Sequence, residues 1–143
     1  MTRRSDWQSH LEIYLRENRE VRFAYGVWDC ALFVCGAIEV MTSVDPAAYF
    51  RGRYRSRREA LAECKEYCGS SSLRSLVNRV TMDLGMKSIK PSFAGRGDIV
   101  MLRRGKRGVS LGVVSLSGRS VQVVTPKGLQ ECTLSLVIEG WRI

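Results

Sequence analysis

The 143-residue chain has one histidine, His10, close to its start. Any reaction that needs an imidazole as proton carrier therefore has a single candidate. No apolar run approaches the ~18 residues that a bilayer span requires. Met1-Thr2-Arg3-Arg4-Ser5-Asp6 has no apolar stretch behind it that could act as a signal peptide, so the expectation is a product of the cytosol with no membrane span. There is no Cys-x-x-Cys pair, no internal repeat and no low-complexity tract. The five cysteines, Cys30, Cys35, Cys64, Cys68 and Cys132, are odd in number, which argues for reduced thiols over a disulfide framework.

A hydrophobic content of 45% with 26% charged residues is an ordinary globular balance, and it fits one domain over residues 1–143. A chain of this length buries roughly 70% of the surface its unfolded form exposes, enough for a core without metal or disulfide support. Lysine and arginine number 23 against 14 acidic residues, a formal charge of +9. Such an excess favours polyanionic partners without choosing among nucleic acid, membrane and acidic protein.

Trp7, Leu11, Tyr14 and Leu15 follow helical spacing and predict an amphipathic helix from Asp6 to about Glu17, with Ser5 or Asp6 as its cap. After the glycine break at Gly26, the segment from Cys30 to Met41 is apolar almost all round, the mark of a buried helix. Asp29 is its expected N-cap, which puts Cys30 on the first helical residue and Trp28 in position to staple the first turn. Ser56, with Glu59 three residues on, predicts a third helix from Arg57 to about Cys68, and Leu73, Leu76, Val77 and Val80 predict a fourth that stops near Gly85. From Gly97 the pattern changes to short β-rich runs, 97–102, 110–116, 120–124 and 134–138, with Arg103 to Gly108 and Leu116 to Arg119 as hairpin loops. The expected class is α+β: N-terminal helices packed on a C-terminal antiparallel sheet of about four or five strands.

A cysteine on the first turn of a helix sits where unpaired backbone N–H groups and the helix dipole favour a thiolate. Cys30 meets that condition, although free cysteines in such places more often serve as small buried hydrophobes. The string Phe23-Ala24-Tyr25-Gly26-Val27-Trp28-Asp29-Cys30-Ala31-Leu32-Phe33-Val34 resembles the nucleophile segment of the NlpC-type cysteine peptidases, papain-like cell-wall endopeptidases also found in phage tail tips. Gly97-Asp98-Ile99-Val100 is similar to that family's Gly-Asp strand, and Ser110-Leu111-Gly112-Val113-Val114 to the strand that opens with the catalytic histidine. The whole chain, with Asp45-Pro46, Arg51 to Tyr54, Gly128-Leu129 and Gly140 to Ile143, resembles a small phage and prophage tail-gene branch related to it.

The departures from the family pattern decide what the resemblance implies. The position of the missing histidine is held by Ser110, whose hydroxyl is no base near neutral pH, and the third member of the relay falls at Gln122, with no imidazole to orient. Phe23 stands where the peptidases often carry a tyrosine. Loss of the base costs about 10⁴-fold or more, by analogy with triad knockouts. His10 would have to fold over the start of the Cys30 helix to substitute, whereas the family's base comes from the sheet.

The resemblance thus implies a papain-like fold in a siphophage-type tail or tail-tip component, with a vestigial site at Cys30 and a role in binding other tail proteins. It would reside in the virion tail after synthesis in the bacterial host cytoplasm. The alternative is a cysteine endopeptidase or amidase acting on peptidoglycan stem peptides through Cys30. Tyr25, Trp28 and Asp29 frame the nucleophile turn as candidate binding residues, together with Arg51, Arg53, Tyr54 and Arg55. Those arginines belong to a run, Arg51 to Arg58, that holds five arginines and a tyrosine and admits a further alternative, a basic nucleic-acid-binding module. The plainer reading of that run is a solvated loop or a protein interface. Cys64 and Cys68 share a helix face at i, i+4 spacing, but core packing is the favoured reading, so no metal or other cofactor is expected.

Overall fold

A computed structural model describes residues 1–106 and 108–143; Arg107, part of the hairpin loop expected from Arg103 to Gly108, lies outside the described residues. Four helices come first: α1 (Trp7–Glu17), α2 (Cys30–Thr42), α3 (Arg57–Cys68) and α4 (Leu73–Asp83). Six strands follow: β1 (Lys87–Ile89), β2 (Ile99–Arg104), β3 (Gly108–Val114), β4 (Ser120–Thr125), β5 (Gly128–Thr133) and β6 (Val137–Arg142). They form one antiparallel sheet in the order β1-β6-β2-β3-β4-β5. The class is α+β. No helix among the described residues is long and apolar enough to cross a membrane.

The helix ends follow local chemistry. Asp29 is extended and its carboxylate accepts from the Leu32 N–H, so α2 begins on Cys30. Ser56 accepts from the Glu59 N–H, and the Glu59 carboxylate accepts in return from the Arg55 N–H at 2.7 Å, a capping box displaced by one residue. Gly69, in the left-handed region, closes α3. Asp6 precedes α1 without capping it, because its carboxylate is bound by Arg4 at 3.2 Å and by the His10 ring at 3.0 Å.

The expected count of four or five strands is corrected to six among the described residues. β1 has three residues and pairs only along the outer edge of β6, too short a run to show alternation. β5 (Gly-Leu-Gln-Glu-Cys-Thr) is a polar edge strand with most of its side chains in solvent. The run expected as a strand over 134–138 divides instead. Leu134–Leu136 forms a 3-10 turn in which the Ser135 N–H donates to the Thr133 hydroxyl, and the strand proper begins at Val137.

β2 packs on both faces, which is why Ile99 to Leu102 reads as an unbroken apolar run. Ile99 and Met101, with Leu111, Val113 and Trp141, meet Phe33, Ile38 and Met41 of α2 and Leu11 of α1. Val100 and Leu102, with Val114, Val121 and Val123, form a second cluster on the other face. A third cluster, Leu32, Ala47, Phe50, Tyr54, Cys64 and Leu76, joins α2 to α3 and α4. Gly36 lets α1 approach α2. A Cβ there would collide with the Tyr14 hydroxyl, which donates to the Phe33 carbonyl at 2.9 Å.

Candidate functional site

The turn leading into α2 is held at both ends. Ala24 and Trp28 exchange backbone hydrogen bonds of 2.9 and 2.8 Å, and the Phe23 N–H donates to the Thr125 carbonyl of β4 at 3.1 Å. Gly26 has φ +74° and lies against the Tyr54 carbonyl, leaving no room for a side chain. Trp28 packs on Phe33, five residues on, at 5.7 Å between ring centroids, the staple geometry expected of the residue before the cap. Its indole Nε1 is buried without a partner among the described residues.

Asp29, 3% exposed, ties this turn to two other segments. One carboxylate oxygen accepts from the Leu32 N–H at 2.9 Å; the other accepts from the Gly26 N–H at 3.0 Å and from the Tyr54 hydroxyl at 2.5 Å. The start of α2 is therefore locked to the loop before it and to the arginine-rich segment after it. Burial and the facing carboxylate push the Tyr54 phenol upward.

Cys30, partly buried, occupies the first residue of α2. The beginning of β3 brings the Ser110 hydroxyl and the Leu111 N–H to its thiol. Burial pushes the thiol above its ordinary value of 9.0, and the neighbouring Asp29 carboxylate adds to the rise; the Leu111 N–H, the Ser110 hydroxyl and the Ala31 N–H offset part of it. Burial thus opposes, at Cys30, the thiolate that a helix start favours, in keeping with the reading of a small buried side chain. Burial also raises Cys35, to about 12, and Cys64, to about 11.

Behind the thiol opens a chamber of about 490 Å³ bounded by α2, α3, α4 and β3, with walls that are mostly aliphatic and aromatic. Cys30, Cys35, Cys64 and Ser110 line it, as do Tyr25 and Tyr54. His10, on α1, does not; its ring is held by Asp6 just before that helix, so no imidazole reaches the chamber among the described residues.

The remaining expected site residues are dispersed. Gln122 sits opposite Val113, three residues along β3 from Ser110, and its amide donates to Glu131 Oε1 at 3.1 Å. That separation is roughly 10 Å along the strand. The Arg51 guanidinium donates to Asp45 at 3.1 Å and Glu39 at 3.5 Å, while Arg53 lies over the Tyr49 ring at 4.0 Å. Arg55 is exposed, and Tyr54, 6% exposed, points inward away from the run that contains it. Cys68 donates to the Cys64 carbonyl of its own helix at 3.1 Å.

Two features have no counterpart in the sequence reading. The chamber wall from α3 and α4 was signalled only by small and apolar residues at helical spacing, such as Ala60, Cys64 and Leu76. Asp98, 1% exposed, is an ion-pair hub: it accepts from Arg142 at 2.6 Å and from Arg3 at 3.1 Å. In the sequence it is visible only as half of a Gly-Asp motif. No curated protein matches this chain. The family model described as a domain of unknown function (DUF6950) matches residues 2–143, and the chain belongs to that family.

Proposed function

We propose that the chain is a structural component of a siphophage-type tail or tail tip, with an NlpC-like, papain-like fold and a cysteine-peptidase site that no longer reacts. The observation carrying the inactive site is the pairing of Cys30 with Ser110 across the start of α2 and β3, in a chamber that His10 does not reach. A thiol raised by burial and facing a hydroxyl has no group to take its proton at neutral pH and none to return it to a leaving amine. The helix-first order, the cysteine at the head of α2 and the antiparallel sheet that follows are compatible with the papain-like reading. The tail assignment rests on the resemblance of the whole sequence to phage and prophage tail genes, and binding to neighbouring tail proteins is the activity that remains to such a subunit.

Two measurements test the reading. Alkylation of Cys30 by iodoacetamide across pH 5 to 9, against a Cys30→Ala control, is expected to show no reactive thiolate below pH 8, alongside no release of stem peptides from peptidoglycan. Mass spectrometry of particles purified from a strain expressing the chain at its own locus is expected to find it in the tail fraction. Stem-peptide release that depends on Cys30 would overturn the inactive site, and absence from the particles would overturn the tail assignment.

A further inference from the structure

The chamber behind Cys30 has a chemically quiet interior and a charged mouth. Its buried members include Leu32, Leu76, Val77, Ile99 and Leu111, whereas Arg57, Ser71, Gly108 and Val109 are the exposed members that mark the opening. The polar groups of the interior are largely committed elsewhere. Both Asp29 oxygens accept hydrogen bonds, the Tyr54 hydroxyl donates to Asp29, and the Thr81 hydroxyl donates to the Val77 carbonyl at 2.8 Å. A void of about 490 Å³ with such walls is in the size range of ligand sites and gives water few partners. At the mouth, the Arg57 guanidinium has no ion-pair partner among the described residues, and the only carboxylate on the lining is the occupied Asp29.

We propose that this chamber binds a single-chain amphiphile with an anionic head, the chain lying against Leu76, Val77 and Ile99 and the head at Arg57. An apolar interior selects the chain by removing methylenes from water, and an unpartnered guanidinium at the opening selects a carboxylate or phosphate over a neutral head. The excess of positive charge on the whole chain steers such anions toward it. The inference stands on the chamber and does not require the tail assignment.

The test uses the full chain and straight-chain carboxylates below their micellar concentrations. By titration calorimetry, dodecanoate is expected to bind with one-to-one stoichiometry, and affinity from hexanoate upward is expected to tighten about fourfold per methylene until the chamber is full. Dodecanol and the Arg57→Gln variant with dodecanoate are each expected to bind about tenfold more weakly, the size of one charge-assisted hydrogen bond. No saturable binding, an affinity independent of chain length, equal binding of dodecanol, or undiminished binding of dodecanoate by Arg57→Gln would each overturn the proposal.

Discussion

The Tyr54 hydroxyl reaches across from the arginine-rich segment to donate to Asp29 at 2.5 Å, so the residue that caps α2 is held by a side chain 25 positions later. Removing that hydroxyl leaves a buried carboxylate oxygen with one donor in place of two. Tyr54→Phe is expected to cost about 1–3 kcal/mol. Chemical denaturation in urea, with an unchanged slope, is the measurement; a midpoint equal to that of the parent would show that the contact contributes nothing.

The raised thiols set an alkaline limit. Cys30, Cys35 and Cys64 have ordinary values of 9.0, and the folded state holds each above it, so their contribution to stability is fully present below about pH 9. Above pH 9 the unfolded chain releases protons that the folded chain retains, and stability falls as pH rises toward about 11 for Cys64 and about 12 for Cys35. Tyr54 acts with the same sign above pH 10. Urea midpoints are therefore expected to be flat from pH 7 to 8.5 and to decline from pH 9 to 10.5, and a Cys35→Ala, Cys64→Ala variant is expected to decline less steeply.

How much of this was legible in the sequence depends on the range of the forces involved. Asp29, Ser56 and Gly69 act on backbone groups within a few residues: α2 begins where Asp29 places it, and α3 begins and ends where Ser56 and Gly69 do. The inward turn of Tyr54 was not legible, because its spacing among Arg53 and Arg55 is that of a solvated run and only the distant Asp29 makes burial favourable. Gln122 shows a similar gap. A separation of 12 residues puts it on the strand after Ser110, but the register opposite Val113 and the pull of Glu131 are properties of the assembled sheet. The edge strands β1 and β5 lack a buried face of their own and so lack the alternation that reveals a strand.

Asp98 illustrates the same point energetically and leads to a third expectation. It is buried, and it neutralises both Arg3, near the start of the chain, and Arg142, near its end. Asp98→Asn removes the charge while leaving two guanidinium groups beside it, and is expected to destabilise the fold by about 3 kcal/mol, in the range seen when one partner of a buried ion pair is removed. Arg142→Met, which removes a more exposed partner, is expected to cost less. Equal stability of Asp98→Asn and the parent in urea would show that the hub is dispensable.

Restoring an imidazole tests whether the environment of Cys30 or its missing partner keeps it inert. Ser110 is the side chain that β3 brings to the thiol, so Ser110→His places a base there. An imidazolium beside a thiol favours the thiolate, and alkylation of Cys30 at pH 7 is expected to rise at least tenfold, with its pH midpoint moving down. Turnover on stem peptides is a separate matter, because Gln122 is held by Glu131 opposite Val113 and is not placed to orient the new ring. Ser110→His is therefore expected to gain thiol reactivity without peptide hydrolysis. Unchanged alkylation would mean that burial outweighs the base, and hydrolysis without further substitution would mean that the site needs no third group.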